Sequence, residues 1–185
     1  MFLEDGIRMK IKTDEELFKL IKQANKQAFK TLYERYELGV FNFILRYSGN
    51  RDLAQDLLQE TFTKIWFTSE KYVQEKGNVK NWIFTIALNI TKNEMVKKRY
   101  AFTYEPIEDI FYKVDTDENE LTDFDDRIGN VLKTLKPDLR EIILFKHYQQ
   151  LKFKEISEIT KLPESTLKSR FQKALSELKK HLEVK

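Results

Sequence analysis

No cysteine occurs in the chain. Disulfides, thiolate metal sites and a thiol nucleophile are therefore excluded together. The two histidines, His147 and His181, are too far apart in sequence to read as a metal-binding pair. Glycine (5) and proline (3) are scarce among 185 residues. Few points are thus marked for tight turns, and the abundant Lys, Glu and Leu favour helix over sheet. No apolar run approaches the roughly 20 residues that cross a bilayer. Met1-Phe2-Leu3 passes directly into Glu4-Asp5, without the apolar stretch of a secretion signal. A cytoplasmic protein without metal or cofactor is expected.

What is present is charge, unevenly spread. The net charge is only +3, yet residues 101–126 hold ten acids against the single Lys113, a local balance of −9. The remainder carries +12. Two basic bodies joined by an acidic strap suit a nucleic-acid binder; a solvated linker between ordinary helical domains fits the charge equally well. A hydrophobic share of 41% supports a packed core and excludes wholesale disorder.

Periodicity divides the chain. Thr13-Asp14-Glu15-Glu16 has the form of a capping box, followed at helical spacing by Leu17, Leu20, Ile21 and Ala24. Further helices are predicted over 26–37, 38–48, 51–67 and 78–99, with a charged loop at 68–77. Ser48-Gly49-Asn50 marks a helix end. Residues 101–122 lose the apolar period and read as the acidic linker. Patterning resumes near Asp123, with helices from Pro137 to Tyr148, over 153–160 and over 163–182. The expected fold is all-α: a helical bundle over 13–100 and a second over 123–182.

The second bundle carries a motif. Phe153, Ile156 and Ile159 give a short helix one apolar face, and Pro163-Glu164 opens a longer helix three residues on. Leu167, Phe171, Leu175, Leu178 and Leu182 form its stripe. Thr166 lies near its start, and Lys168, Ser169, Gln172, Lys173, Ser176 and Lys180 form its outer face. Short helix, tight turn and long cationic helix make a helix-turn-helix pattern, whose outer face can meet base edges and phosphates in the major groove. A bundle helix with a solvated side is the plainer reading of the same pattern.

Two stretches stand out in the first bundle. In Asp52–Trp66, Leu57, Leu58, Thr61 and Ile65 can face a core, leaving Asp56, Gln59, Glu60 and Phe62 nearer the surface as a protein-docking face. In Asn81–Asn93, Ile83, Ile86, Ala87 and Ile90 form a core stripe. Trp82, Thr85, Asn89 and Lys92 make a second track at steps of three and four. Aromatic, amide and cation in line suit unpaired bases, through stacking, hydrogen bonding and phosphate neutralisation. Each residue alone is as readily structural.

Taken together these residues resemble the extracytoplasmic-function (ECF) sigma factors of the sigma-70 superfamily. Ala54–Phe62 and Trp82–Asn89 are similar to the family's second conserved region. Leu135-Lys136-Pro137, Phe153–Ser157 and Ser165–Arg170 are similar to its fourth. The resemblance implies a transcription initiation factor, not an enzyme. Its partners would be core RNA polymerase, promoter DNA and an anti-sigma factor, the last burying both DNA-reading faces in a compact state. Asp56, Gln59, Glu60 and Phe62 would dock on the polymerase's largest subunit. Lys76, Asn78, Lys80, Trp82, Asn89 and Lys92 would handle the melted minus-ten element. Thr166, Lys168, Ser169, Gln172 and Lys173 would read the minus-thirty-five duplex. Two departures stand out. Lys161 occupies the turn where the family commonly has glycine, and Ser157 stands where alanine is common.

Three other functions compete. A stand-alone helix-turn-helix regulator would leave the first bundle's motifs idle. A metal-dependent nuclease would need the acids of 105–126, which lack metal-ligand spacing. A helical adaptor would make no use of Asn89 or Lys168.

Overall fold

The computed structural model describes residues 11–101, 131, 132 and 134–183, the side chains of residues 76, 98–101, 182 and 183 excepted. Nearly all of the acidic linker and the start of the helix expected near Asp123 lie outside them. Every regular element among the described residues is helical: α1 (Asp14–Lys22), α2 (Lys26–Ser48), α3 (Arg51–Phe67), α4 (Val79–Ala101), α5 (Pro137–Ile143), α6 (Phe153–Thr160) and α7 (Glu164–Glu183).

Side-chain caps set the first boundaries. Thr13 Oγ1 accepts from the Glu16 amide at 3.2 Å, and the Glu16 carboxylate accepts from the Thr13 amide at 2.7 Å, so the capping box is complete. Asn25 and Asn50 cap α2 and α3 through the amides of Ala28 (2.9 Å) and Leu53 (2.8 Å). Gly49 closes α2 in the left-handed conformation (φ 71°), which glycine adopts without a Cβ clash. One expectation fails here: α2 is a single helix, not two. Gly39 sits inside it, and its carbonyl accepts from Gln149 Nε2 at 3.1 Å.

Helices α1–α4 pack as one bundle. Asp14 ties α1 to α2 through Arg35 and Tyr36. Leu17, Phe18, Leu32, Phe43, Ile44, Leu57, Ile65, Ile83 and Leu88 fill its interior. The loop at 68–77 contains two short 3₁₀ turns, Ser69–Lys71 and Gln74–Lys76.

The second group begins at Pro137, whose missing N–H costs nothing in the first turn. After Ile143 the helix widens into a π-turn, Leu144–Tyr148, with the Gln149 amide bonded to the Leu144 carbonyl at 3.1 Å. Helices α5, α6 and α7 then enclose Leu139, Ile142, Ile156, Ile159, Leu167 and Ala174. The predicted stripe on α7 is only partly correct: Leu175 is 42% exposed, and Ala174 takes its inward place.

The two groups share one hydrophobic core. Phe145 stacks on Phe43 (centroids 4.7 Å, 17°) and meets Phe84 edge-on at 6.0 Å. Around this junction, Arg140 Nη1 donates to the Tyr47 carbonyl at 2.7 Å and the Arg46 guanidinium lies 4.3 Å from the Tyr148 ring centre.

Lys161 follows α6 at φ 60°, ψ 24°. The turn thus keeps the left-handed geometry without glycine, at a cost of about 1 kcal/mol. Lys161→Gly is expected to raise stability by up to about 1 kcal/mol, read as a later urea midpoint with unchanged slope. Ser157 helps to hold the strained turn: its hydroxyl donates to the Leu162 carbonyl at 2.6 Å, a bond that alanine cannot make.

Candidate nucleic-acid interface and docking face

Helix α4 and the loop before it present most of the residues expected to handle unpaired bases. Gly77 has φ 139°, a conformation that favours glycine, and a Cβ there would lie 3.2 Å from Glu158 Oε2. Asn78 caps α4: its side-chain oxygen accepts from the Asn81 amide at 2.7 Å, which limits its freedom to meet a base. The Trp82 ring is half-buried, edge-on to Phe18 (5.2 Å) and Tyr72 (5.8 Å). Thr85 turns its hydroxyl onto the Asn81 carbonyl at 2.7 Å. Asn89 is exposed. The side chain of Lys76 lies outside the described residues.

Two of the expected residues are already engaged. Lys80 Nζ donates to the Gln149 carbonyl at 3.2 Å. Lys92 Nζ lies 2.6 Å from Glu141 Oε2, and the Glu141 side chain is 3% exposed. Both partners belong to the second group of helices. Asn81, which the sequence reading did not single out as a site residue, is 3% exposed and donates to Glu158 Oε2 at 2.7 Å. Two charges beside an apolar run, Arg140 and Glu141 before Ile142–Phe145, were the sequence signal of such a contact.

Burial raises the Glu141 pKa above the usual carboxylate value, and Lys92 opposes the shift. A raised acid pKa means that the folded chain binds more protons than the unfolded chain, from about pH 4.5 up to the shifted value. Stability contributed by this group therefore falls as pH rises through that window. Glu141→Gln is expected to abolish this slope and Lys92→Met to steepen it, by urea titration at a series of pH values from 4.5 to 7.

On α3, Asp56, Gln59 and Glu60 are exposed, as expected. Phe62 is not: it is 3% exposed, with its ring 4.7 Å from Tyr33 and 6.3 Å from Phe29. The α2–α3 contact turns it inward to the floor of an open groove of about 950 Å³. Phe29, Tyr33, Phe41, Leu58, Trp66 and Phe67 line that groove, together with Lys26, Arg51, Gln55, Gln59 and Thr63. Phe67, missed in the sequence, is 79% exposed. An open aromatic groove with polar groups is the composition of a protein-binding surface.

On α7 the face expected to read duplex DNA points outward. Lys168, Ser169, Gln172, Lys173, Ser176 and Lys180 are all exposed, and Thr166 is half-buried. Lys168 is 4.0 Å from Glu164 across one turn, an exposed pair of little energetic weight. Ser169 Oγ donates to the Thr166 carbonyl at 3.0 Å. Among the described residues no group of His, Asp or Glu is arranged to hold a metal ion, and no helix is long and apolar enough to cross a membrane. The acids of 105–126 lie outside those residues.

Residues 32–100 match Sigma-70 region 2, and residues 125–178 match Sigma-70, region 4. The chain is 28% identical over 177 residues to the ECF RNA polymerase sigma-E factor of Haemophilus influenzae, covering 88% of this chain and 91% of that protein. It is 27% identical over 150 residues to the ECF RNA polymerase sigma factor SigM of Bacillus subtilis (80% and 91%). Among solved structures, the sigma factor RpoE of Bartonella quintana, in complex with the anti-sigma factor NepR, aligns with a TM-score of 0.70 at 25% identity, over 84% of this chain and 97% of that one. CnrH, solved with the cytosolic domain of CnrY, shares the fold (TM-score 0.69, 17% identity, 91% and 96%). The chain belongs to the ECF sigma factors of the sigma-70 family and is a transcription initiation factor that directs core RNA polymerase to specific promoters.

Proposed function

We propose that the work is divided by residue as follows. The module over 13–100 docks on polymerase through α3, with Asp56, Gln59 and Glu60 exposed beside the aromatic groove floored by Phe62. Its α4 face takes the melted minus-ten element: Asn89 bonds a flipped base, Trp82 supports the open strand, and Lys76, Lys80 and Lys92 meet phosphates. Asn78 acts indirectly by fixing the start of α4. The module over 123–182 lays α7 in the minus-thirty-five duplex, with Lys168, Ser169, Gln172 and Lys173 outward and Thr166 at the helix start. The acidic stretch 101–122 is the linker between them. The observation that carries the reading of α7 is its outward array of Lys168, Ser169, Gln172 and Lys173, on a helix within the stretch that matches Sigma-70, region 4.

Polymerase supplies the chemistry, so the chain itself catalyses nothing, and it works in the cytoplasm where polymerase is. An anti-sigma factor is its regulator: the Bartonella quintana structure holds one on a sigma factor of the same fold. Docking is tested by titrating labelled protein with bacterial core polymerase. Gln59→Ala with Glu60→Ala is expected to weaken binding by about 30-fold or more, the scale of one interface hot spot. Unchanged binding would remove α3 as the docking helix.

A further inference from the structure

The turn between α6 and α7 keeps a residue that its backbone disfavours. Lys161 is left-handed, at φ 60° and ψ 24°, where a Cβ crowds the chain and glycine has none. Among the described residues Ala24, Gln150 and Lys161 are the non-glycine residues with positive φ, and only Lys161 is charged. A disfavoured backbone that the surroundings enforce is a pointer to function. Here they enforce it. The Lys161 amide donates to the Ser157 carbonyl at 2.9 Å. The Ser157 hydroxyl donates to the Leu162 carbonyl at 2.6 Å, and Thr160 Oγ1 accepts from the Leu162 amide at 3.4 Å. Both neighbours are tied down, while Lys161 itself is exposed. Its ammonium has no partner among the described residues.

The place of this charge in the motif indicates what it meets. In a helix-turn-helix the first helix crosses the DNA backbone, and the second enters the major groove by its N-terminal end. The turn that joins them lies at the groove's edge, beside a row of phosphates. Lys161 stands in that turn, between α6 and the start of α7 at Glu164. Lys168, Ser169, Gln172 and Lys173 continue outward along the helix. The opposing charge at the same end, Glu164, is paired with Lys168 at 4.0 Å.

We propose that Lys161 is a phosphate-contacting residue of the minus-thirty-five module, one that positions α7 on the duplex but reads no base. Its ammonium neutralises one backbone phosphate beside the groove that α7 enters. Such a contact fixes register and adds affinity without carrying sequence information. The turn keeps its strain because glycine there would offer DNA no charge. This inference rests on the assignment of α7 to the minus-thirty-five duplex.

Removing the ammonium as glycine also relieves the strain, so folding and binding should move in opposite directions. The full chain with bacterial core polymerase is titrated onto a fluorescein-labelled promoter duplex, selected by initiation from random upstream DNA. Anisotropy is read in the cold, before melting, over a salt series. Lys161→Gly is expected to lower the log–log salt slope by about 0.9, the value for one phosphate of B-DNA, and so to weaken binding about eightfold at roughly 0.1 M salt. The same factor should hold on duplexes with altered minus-thirty-five sequence. The urea midpoint should be no earlier than that of wild type. Lys161→Asn, uncharged and tolerant of the left-handed region, should match Lys161→Gly, and Lys161→Arg should bind as wild type. Lys168→Ala with Gln172→Ala tests the assignment of α7 in the same assay. If that pair weakens binding while Lys161→Gly leaves affinity and slope unchanged, the phosphate contact is overturned and the assignment of α7 stands. Lys161→Arg as weak as Lys161→Gly would overturn the contact equally. If neither the pair nor Lys161→Gly weakens binding, the assignment of α7 falls and the contact with it.

Discussion

Phe145→Ala is expected to lower the unfolding free energy by about 3–5 kcal/mol, the range for removing a fully buried phenylalanine. Phe145 is completely buried. It stacks on Phe43 and packs edge-on to Phe84, so one substitution strips contacts from α2, α4 and the π-turn at once. Aromatic pairing adds about 0.5–1.5 kcal/mol beyond area burial. Beside it, Arg140 of α5 donates to the Tyr47 carbonyl at the end of α2 at 2.7 Å. Chemical denaturation followed by tryptophan fluorescence reads the loss. A cost below about 1 kcal/mol would show that the modules do not share a core in solution.

The second large effect falls on function. Asn89→Ala is expected to reduce promoter opening by about 10- to 100-fold, the equivalent of 1–3 kcal/mol for a base-specific hydrogen-bonding side chain. Stability should barely change, because Asn89 is exposed and alanine is the better helix former. This combination separates a reading residue from a packing one. Asn81→Ala is the instructive contrast. Asn81 is buried and its side chain bonds Glu158, so its loss acts on the contact with α6 before it acts on any base. Permanganate footprinting of the melted region with core polymerase measures the first effect, and urea titration the second.

Local signals gave the helices where their chemistry is local. The Thr13 capping box, α3 over 51–67 and α6 over 153–160 follow from caps, apolar period and turn residues, all within a few positions. Gly39 misled because glycine is a poor helix former by about 1 kcal/mol, and the tertiary contact with Gln149 outweighs that preference. Phe62 misled for a related reason. One helix viewed alone shows a single apolar side, whereas α3 packs against both α2 and α4 and buries a wider arc. Leu175 shows the reverse: Leu167, Phe171, Ala174 and Leu178 hold the inward line of its helix, and Leu175 lies one position off it. The junction itself was not legible. Nothing in the spacing of Phe43, Phe84 and Phe145 says that they meet. The outward placement of Lys168, Ser169, Gln172 and Lys173 on α7 was legible, because a cationic, hydrogen-bonding stripe lies beside a largely apolar one. The occupied state of Lys80 and Lys92 was not, since their partners lie 69 and 49 positions away in sequence.

The most direct test of a two-part promoter reader is initiation from a library of random upstream DNA by the purified chain and bacterial core polymerase. The expected result is a common motif with two separated elements, the upstream one weakened by Lys168→Ala with Gln172→Ala and the downstream one by Asn89→Ala. A chain that forms no complex with core polymerase, yet selects duplex sites through α7 alone, would contradict it.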